Sequence, residues 1–274
     1  MSPTPRRALD RVLVDRGLAE DLDTARELIA AGQVLVAGAP GLTPTRAVAS
    51  TEVVSLIEQP RFVGRGGEKL EAALQAFGID VAGGLALDVG ASTGGFTDCL
   101  LVRGIARVLA VDVGTNQLHE RLRKDPRVVS LERTNVRDLT LAQVRAVLGA
   151  LSTIVTVDLS FTSLVPHAPH LVELASHDAS LIVLVKPQFE VDRATASRGR
   201  GVVTEPREWH AVLERAASAF ERSGAGIIGV MASPLTGASG NVEFLVHARR
   251  GAPVTGDASV DKMAREAIER VPAR

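Results

Sequence analysis

From about residue 67 onward the chain alternates short apolar runs with helical segments, and this alternation constrains the fold more than any other feature. Leu85-Ala86-Leu87-Asp88-Val89 reads as a buried strand, with further strands at 107–111, 127–131, 152–157 and 180–185. Helical segments separate most of them, and a helix over 68–77 precedes the first. Repetition of this kind predicts a parallel, doubly wound α/β sheet. The last two strands, at 225–232 and 242–248, follow one another without a helix, which predicts an antiparallel strand added to that sheet. In the tail, Val260, Met263, Ala264, Ala267, Ile268 and Val271 share one helical face, expected to dock on the sheet.

Residues 6–32 differ. They read as two short amphipathic helices, marked by Leu9, Val12, Leu13 and Leu18 and then by Ala25, Leu28 and Ile29, with Gly17 and Gly32 at the helix ends. Short strands follow within 33–38 and 51–57, making a unit too small to be the whole of 274 residues. The expected division is 1–58, a linker over 59–66, and a large domain over 67–274.

Composition removes several classes. A single cysteine, Cys99, excludes an internal disulfide framework and a multi-cysteine zinc site. Aromatic residues make up 3% with no tyrosine, which argues against an aromatic base-stacking platform. The net charge of −1 gives no bulk signal for nucleic acid. Apolar stretches stop well short of the ~18 residues of a membrane span, and no signal-peptide core is present, so a cytoplasmic protein without membrane contact is expected. His167-x-x-His170 has a metal-like spacing, but Pro169 intrudes and no third ligand is evident; no metal site is expected.

Asp88-Val89-Gly90-Ala91-Ser92-Thr93-Gly94-Gly95-Phe96-Thr97 joins the first strand of the sheet to a helix. Gly90 and Gly94 allow a sharp turn and close approach of a ligand, and their missing side chains leave room for an adenosine. The spacing is neither G-x-G-x-x-G nor a Walker A loop. Asp112 ends the next strand, where a ribose hydroxyl pair would be accepted. An S-adenosylmethionine methyltransferase fits these features better than a dehydrogenase, with a ligand-free tight turn as the alternative. Asp158 and Lys186 end successive strands, and in a parallel sheet such ends face one crevice. A lysine directly after the apolar run 181–185 is costly unless paired.

With those residues in view, Lys69, Asp158, Lys186 and Glu243 resemble the Lys-Asp-Lys-Glu tetrad of FtsJ-like ribose 2′-O-methyltransferases. The chain also resembles the TlyA/haemolysin-A family of rRNA 2′-O-methyltransferases along nearly its whole length. The resemblance rests on Arg65-Gly66-Gly67-Glu68-Lys69-Leu70, the glycine-rich turn, Glu132-Arg133-Thr134-Asn135-Val136-Arg137, Asp158-Leu159-Ser160-Phe161, Leu184-Val185-Lys186-Pro187-Gln188-Phe189-Glu190 and Ser239-Gly240-Asn241-Val242-Glu243. It implies a Rossmann-like class I methyltransferase domain behind a small S4-like α+β domain, with Arg61-Phe62-Val63-Gly64 in a linker used in cofactor binding. It implies Lys186 as general base, with Lys69, Asp158 and Glu243 completing the catalytic set. Cofactor contacts are expected from Gly90, Ala91, Ser92, Gly94, Phe96, Asp112, Asn135, Asp158 and Phe161. For Phe161 plain core packing is the alternative, and for Asn135 a turn-forming role.

The partner implied is rRNA or a ribosomal subunit, modified at a cytidine. Arg6, Arg7, Arg11, Arg16 and Arg65 would dock it, with Arg121, Arg123, Lys124, Arg198 and Arg200 as compensating charge. The S4-like segment departs from the family pattern. Ala8-Leu9-Asp10 stands where an Arg-Leu-Asp is usual, Asp21-Leu22 where a Ser-Arg pair is usual, and Gln33 where a lysine is usual. Residues 1–60 hold six arginines and no lysine against eight acidic residues, net −2, the reverse of a phosphate-gripping surface. That departure keeps a small-molecule acceptor open, and a non-enzymatic binder or membrane-active haemolysin is the alternative of another class. Oligomeric state is not legible in the chain.

Overall fold

The computed structural model describes residues 6–57 and 60–271, and the chain divides into two compact units between Pro60 and Arg61. The expected boundary at residue 58, the first linker residue Gln59 and the last three residues lie outside the described residues.

The small unit runs β1 (Arg6–Ala8), α1 (Leu9–Asp15), α2 (Leu22–Ala30), β2 (Val34–Val36), β3 (Ala39–Pro40), β4 (Ala47–Ala49) and β5 (Val54–Leu56). β1 pairs antiparallel with β4, and β3-β2-β5 forms a second small sheet. Leu9, Leu13, Ala25, Ile29, Val34, Val36 and Val48 close its core. Asp21 caps α2, its side chain accepting from the Thr24 amide, which satisfies one of the helix's free N–H groups. Residues 6–8 correct the sequence reading: they are strand, not the start of the first helix. Their backbone pairs with Ala47–Ala49, and Ala8, extended at ψ 140°, starts α1.

The large unit continues with α3 (Gly66–Ala76), β6 (Leu85–Val89), α4 (Gly95–Val102), β7 (Arg107–Val111), α5 (Glu120–Arg123), β8 (Val128–Leu131), α6 (Leu141–Leu148) and β9 (Ser152–Val157). After these come α7 (Ala168–Leu174), β10 (Ala175–Val185), α8 (Pro187–Glu190), α9 (Arg193–Arg198), α10 (Pro206–Arg222), β11 (Ala225–Ala232), β12 (Phe244–Arg250) and α11 (Asp257–Glu269). One seven-stranded sheet has the order β11-β12-β10-β9-β6-β7-β8. β12 is antiparallel to both neighbours, and β10, β9, β6, β7 and β8 pair in parallel. This is a mixed α/β, doubly wound sheet. β10 begins at Ala175, earlier than the apolar pattern predicts, because polar Ser176-His177-Asp178 carry the strand through an irregularity before Ser180.

The period-two alternation of the strands feeds two cores. Leu181, Val183 and Val185 face one with Leu87, Val89, Val155 and Val157, covered by α6, α7, α10 and α11. Ile182 and Leu184 face the other with Ala86, Ile154 and Leu245, covered by α3 and α4. Being covered on both faces is why these strands read as unbroken apolar runs. The chain leaves β6 toward β7 and β8, then returns through β9 to the other side of β6. The carboxyl ends of β6 and β9 therefore flank the switch point of the sheet, where ligands bind in open α/β folds.

His247, in the middle of β12, is fully buried; its Nε2 lies 3.1 Å from Ser180 Oγ and its ring 5.4 Å from that of Phe77. Burial pushes the imidazole down to about 4. A histidine held below its usual value contributes stability that is complete above about pH 6.5 and lost as pH falls toward 4, roughly 3 kcal/mol over that window. Asp88 acts in the opposite sense. Burial raises it to about 6, so protonation below that pH favours the folded state. Total stability thus understates the histidine's effect, and a difference measurement isolates it. In urea unfolding, the advantage of wild type over His247→Asn should be nearly constant above about pH 6.5 and shrink from there to pH 4.5; a constant difference across that window would contradict this assignment.

Candidate active site

The turn after β6 is shaped by two close approaches. Gly90 has φ +81°, and a Cβ there would lie 2.4 Å from the Asp158 carbonyl oxygen. The Asp158 amide donates to Val89 O at 2.9 Å, so the segments leaving β6 and β9 touch at a distance only glycine permits. The amides of Gly90 and Ala91 both donate to Val111 O, tying the turn to β7. Asp112, just beyond β7, accepts from the Ser92 amide through Oδ2 and from the Gly114 amide through Oδ1, each at 2.7 Å. Its carboxylate is thereby fixed at the rim, with further lone pairs on both oxygens.

These segments enclose a cleft of about 540 Å³, and Gly90, Ser92, Asp112, Asn135, Asp158 and Phe161 of the expected cofactor contacts line it. Gln117, Arg137, Ser160 and His167 line it as well. Ala91, Gly94 and Phe96 do not. Ala91 and Phe96 are buried, and a Cβ on Gly66 would meet the Phe96 ring at 3.3 Å. A Cβ on Gly94 would lie 2.2 Å from Leu122 Cδ1 and 2.7 Å from Leu118 Cδ1, so its missing side chain makes room for core leucines rather than for an adenosine. The Asn135 side chain accepts from the Arg137 amide at 3.0 Å, the turn-forming use. Phe161 is 92% exposed with φ +63°, which excludes core packing; its ring lies 5.2 Å from that of Phe189. Volume, glycine cradle and rim carboxylate together fit an adenosyl cofactor.

Beside the cleft stand two lysine–carboxylate pairs. Lys186 Nζ lies 2.5 Å from Asp158 Oδ1 and directs its hydrogen bond to Ser160 Oγ at 2.7 Å. Lys69, on the first turns of α3, forms an ion pair with Glu243, and both are more than nine-tenths buried. β10 pairs Val185 with Phe244, so the next step of the ladder sets Lys186 opposite Glu243. A Cβ on Gly66, one turn before Lys69, would lie 4.0 Å from Asp158 Oδ2, which brings α3 up to the first pair. The two pairs therefore share one corner at the carboxyl ends of β9 and β10.

The arginines are placed less uniformly. Arg65 donates to Thr236 O at 2.8 Å. Arg7 is paired with Asp15, and Arg16 donates to the carbonyls of Glu52 and Ser50. Arg121 and Lys124 are committed to Asp98 and Glu120. Arg6 and Arg11 are exposed, with no ion-pair partner among the described residues. His170 turns to Leu139 O, whereas His167 is buried in the cleft wall. Sequence reasoning did not assign roles to Ser160, Phe189 and Glu190; all three lie inside motifs it quoted, but nothing in their spacing shows which partners they meet.

The FtsJ-like methyltransferase family model matches residues 62–250. The chain is 46% identical over 246 residues, 89% of its length and 90% of the relative's, to the 16S/23S rRNA (cytidine-2′-O)-methyltransferase TlyA of Mycobacterium tuberculosis. It is 36% identical over 239 residues to Hemolysin A of Brachyspira hyodysenteriae, covering 87% and 98% of the two chains. Among solved structures, a hemolysin-named protein from Streptococcus thermophilus matches over 97% of both chains with a TM-score of 0.71 and 34% identity. The chain belongs to the FtsJ-like methyltransferase family and is an S-adenosylmethionine-dependent methyltransferase.

The buried pair makes a stability prediction. Lys69→Met strands the Glu243 carboxylate in the interior and should lower the unfolding free energy by about 3–5 kcal/mol. The double change Lys69→Met with Glu243→Leu should recover most of that loss in urea unfolding. Additive losses would mean that the two side chains are not coupled.

Proposed function

We propose that this chain methylates a ribose 2′-hydroxyl of ribosomal RNA, at a cytidine as its relative's name states, in the cytoplasm where ribosomal subunits are available. The observation that carries the reading is the meeting of Lys186 and Asp158 at the mouth of the adenosyl-sized cleft, backed by the buried Lys69–Glu243 pair. When bound, S-adenosylmethionine supplies an electrophilic methyl group. Gly90, Ser92, Asp112 and Asn135 would hold it, with Asp112 accepting its ribose hydroxyls.

Lys186 accepts the proton of the acceptor's 2′-hydroxyl, and Asp158 and Ser160 fix the direction of its amine. Only a neutral amine accepts a proton, so Lys186 must first release one to solvent, and the pair with Asp158 serves to orient it. Lys69 and Glu243 keep the corner polar and rigid where the alkoxide charge develops. The exposed Phe161 ring, with the half-buried Phe189 ring tilted against it, gives the mouth an apolar surface suited to an unstacked base, a form in which RNA is read. The small unit serves as an S4-type RNA-binding domain, with Arg6 and Arg11 as its phosphate contacts, and Arg65 is a separate phosphate contact of the large unit.

Two variants of one residue test the chemistry. Lys186→Ala should lower transfer to ribosomal subunits by roughly 100-fold to 10,000-fold, with cofactor affinity by calorimetry nearly unchanged. Lys186→Arg keeps the positive charge but stays protonated, so it should be nearly as inactive. An active arginine variant would assign Lys186 an electrostatic role instead.

Docking is tested separately by binding to subunits at increasing salt. Arg6→Ala with Arg11→Ala should flatten the logarithmic salt dependence by about one unit per lost phosphate contact. An unchanged slope would remove these arginines from the interface, and turnover of a small molecule in place of subunits would overturn the acceptor.

A further inference from the structure

The segment from Leu159 to Leu164 carries Ser160 and Phe161 yet belongs to no helix or strand, and Phe161 within it holds a left-handed backbone. An exposed aromatic residue at φ +63° stays there only where its surroundings impose the conformation. Three contacts do so, and all come from Lys186 and the four-residue α8 that follows it. Lys186 donates to Ser160 Oγ, the Phe189 ring packs on Phe161, and the Glu190 carboxylate takes the far end of the segment. The third differs in kind. Glu190 Oε2 accepts from Ser163 Oγ at 2.7 Å, and Oε1 accepts from the Leu164 amide at 2.6 Å. One carboxylate thus uses both oxygens on adjacent residues. Its own backbone is held in turn, because Arg215 of α10 donates to Glu190 O at 3.1 Å.

We propose that Glu190 is a positioning residue for the acceptor: its two-pronged bond to Ser163 and Leu164 holds the segment 159–164 against α8, so that Phe161 and Lys186 meet the ribonucleotide as one unit. The inference rests on the reading of the acceptor as RNA. It deepens that reading by assigning acceptor binding to a residue that touches neither substrate nor cofactor. The surroundings fit a permanent acceptor of two bonds. Ser163 and Leu164 face the carboxylate as donors, Phe189 precedes it, and Arg215 is the nearby charge. Burial raises the carboxyl above its ordinary range, opposed by those same two bonds. The remaining cofactor walls at Gly90, Asp112 and Asn135 stand just past β6, just past β7 and in the turn after β8, so loss of the clamp leaves them in place.

The test uses the full chain with Glu190→Ala, Glu190→Gln and Ser163→Ala, each alone, and Glu190→Ala combined with Phe161→Ala. Hydrogen exchange over 159–164, cofactor affinity by calorimetry, and KM and kcat for ribosomal subunits are the readouts. Glu190→Ala should speed exchange within the segment and raise the subunit KM by at least about tenfold, with a smaller loss of cofactor affinity because Leu159, Ser160, Phe161 and Thr162 also line the cleft. Ser163→Ala removes one prong and should fall between Glu190→Ala and wild type, which keeps the test open if Glu190→Ala folds poorly. Glu190→Gln retains an acceptor for Leu164 and should restore KM to within about threefold. In the Phe161→Ala background, Glu190→Ala should add little to KM, since its effect passes through Phe161. An unchanged exchange rate in Glu190→Ala, or faster exchange with an unchanged KM, overturns the proposal. A wild type that leaves subunits unmethylated refutes the acceptor reading instead; exchange over 159–164 then decides the clamp by itself.

Discussion

Taking an ammonium and a carboxylate out of water costs several kcal/mol for each ion, and only close mutual pairing offsets it. Lys69 and Glu243 meet that condition, and the site depends on their doing so. The pair joins the helix that opens the large unit to the last strand of the sheet, 174 positions apart in the chain. It fixes where α3 lies against β12, and so where the first turn of α3 meets Asp158. The second pair, Asp158 with Lys186, is less buried and faces the cleft. The buried pair behind holds the corner, and the pair in front is the one proposed to handle a proton.

The second constraint is the contact between Gly90 and the Asp158 carbonyl. Parallel neighbours in a sheet diverge at their carboxyl ends only where the chain order reverses. Here the two diverging segments still touch, through a position with no side chain. That contact brings the glycine-rich turn, which lines the cleft, to the carboxylate that pairs with Lys186. Asp158 therefore lines the cleft and also pairs with Lys186, so under the proposed function the cofactor and acceptor sides meet there.

The large unit was legible because its strands are buried on both sides. Runs such as Leu85–Val89 and Leu181–Val185 admit few other readings, and the missing helix before β12 announced its reversed direction. β1 was missed for the opposite reason: Arg6–Ala8 has no apolar pattern and is strand only because β4 lies opposite. In the site, charged residues at strand ends were readable because their positions follow from topology. Gly94 was misread, since a glycine that makes room for leucines looks the same in sequence as one that makes room for a ligand. Few aromatic residues did not keep two from meeting beside the cleft, a contact that composition does not show. The partners of Arg7 and Arg16, Asp15 for the first and the carbonyls of Ser50 and Glu52 for the second, were not legible in the sequence because the fold brings them together.

The central claim is that the two lysine–carboxylate pairs act on a ribose alcohol. The most direct measurement places the transferred methyl: ribosomal subunits are incubated with the protein and methyl-labelled cofactor, and the rRNA is digested to nucleosides for mass analysis. The account predicts that the label resides on the ribose of a cytidine, at a 2′-oxygen, which also makes the adjoining phosphodiester resistant to alkali. Label on a base nitrogen or carbon, in alkali-sensitive RNA, would contradict it.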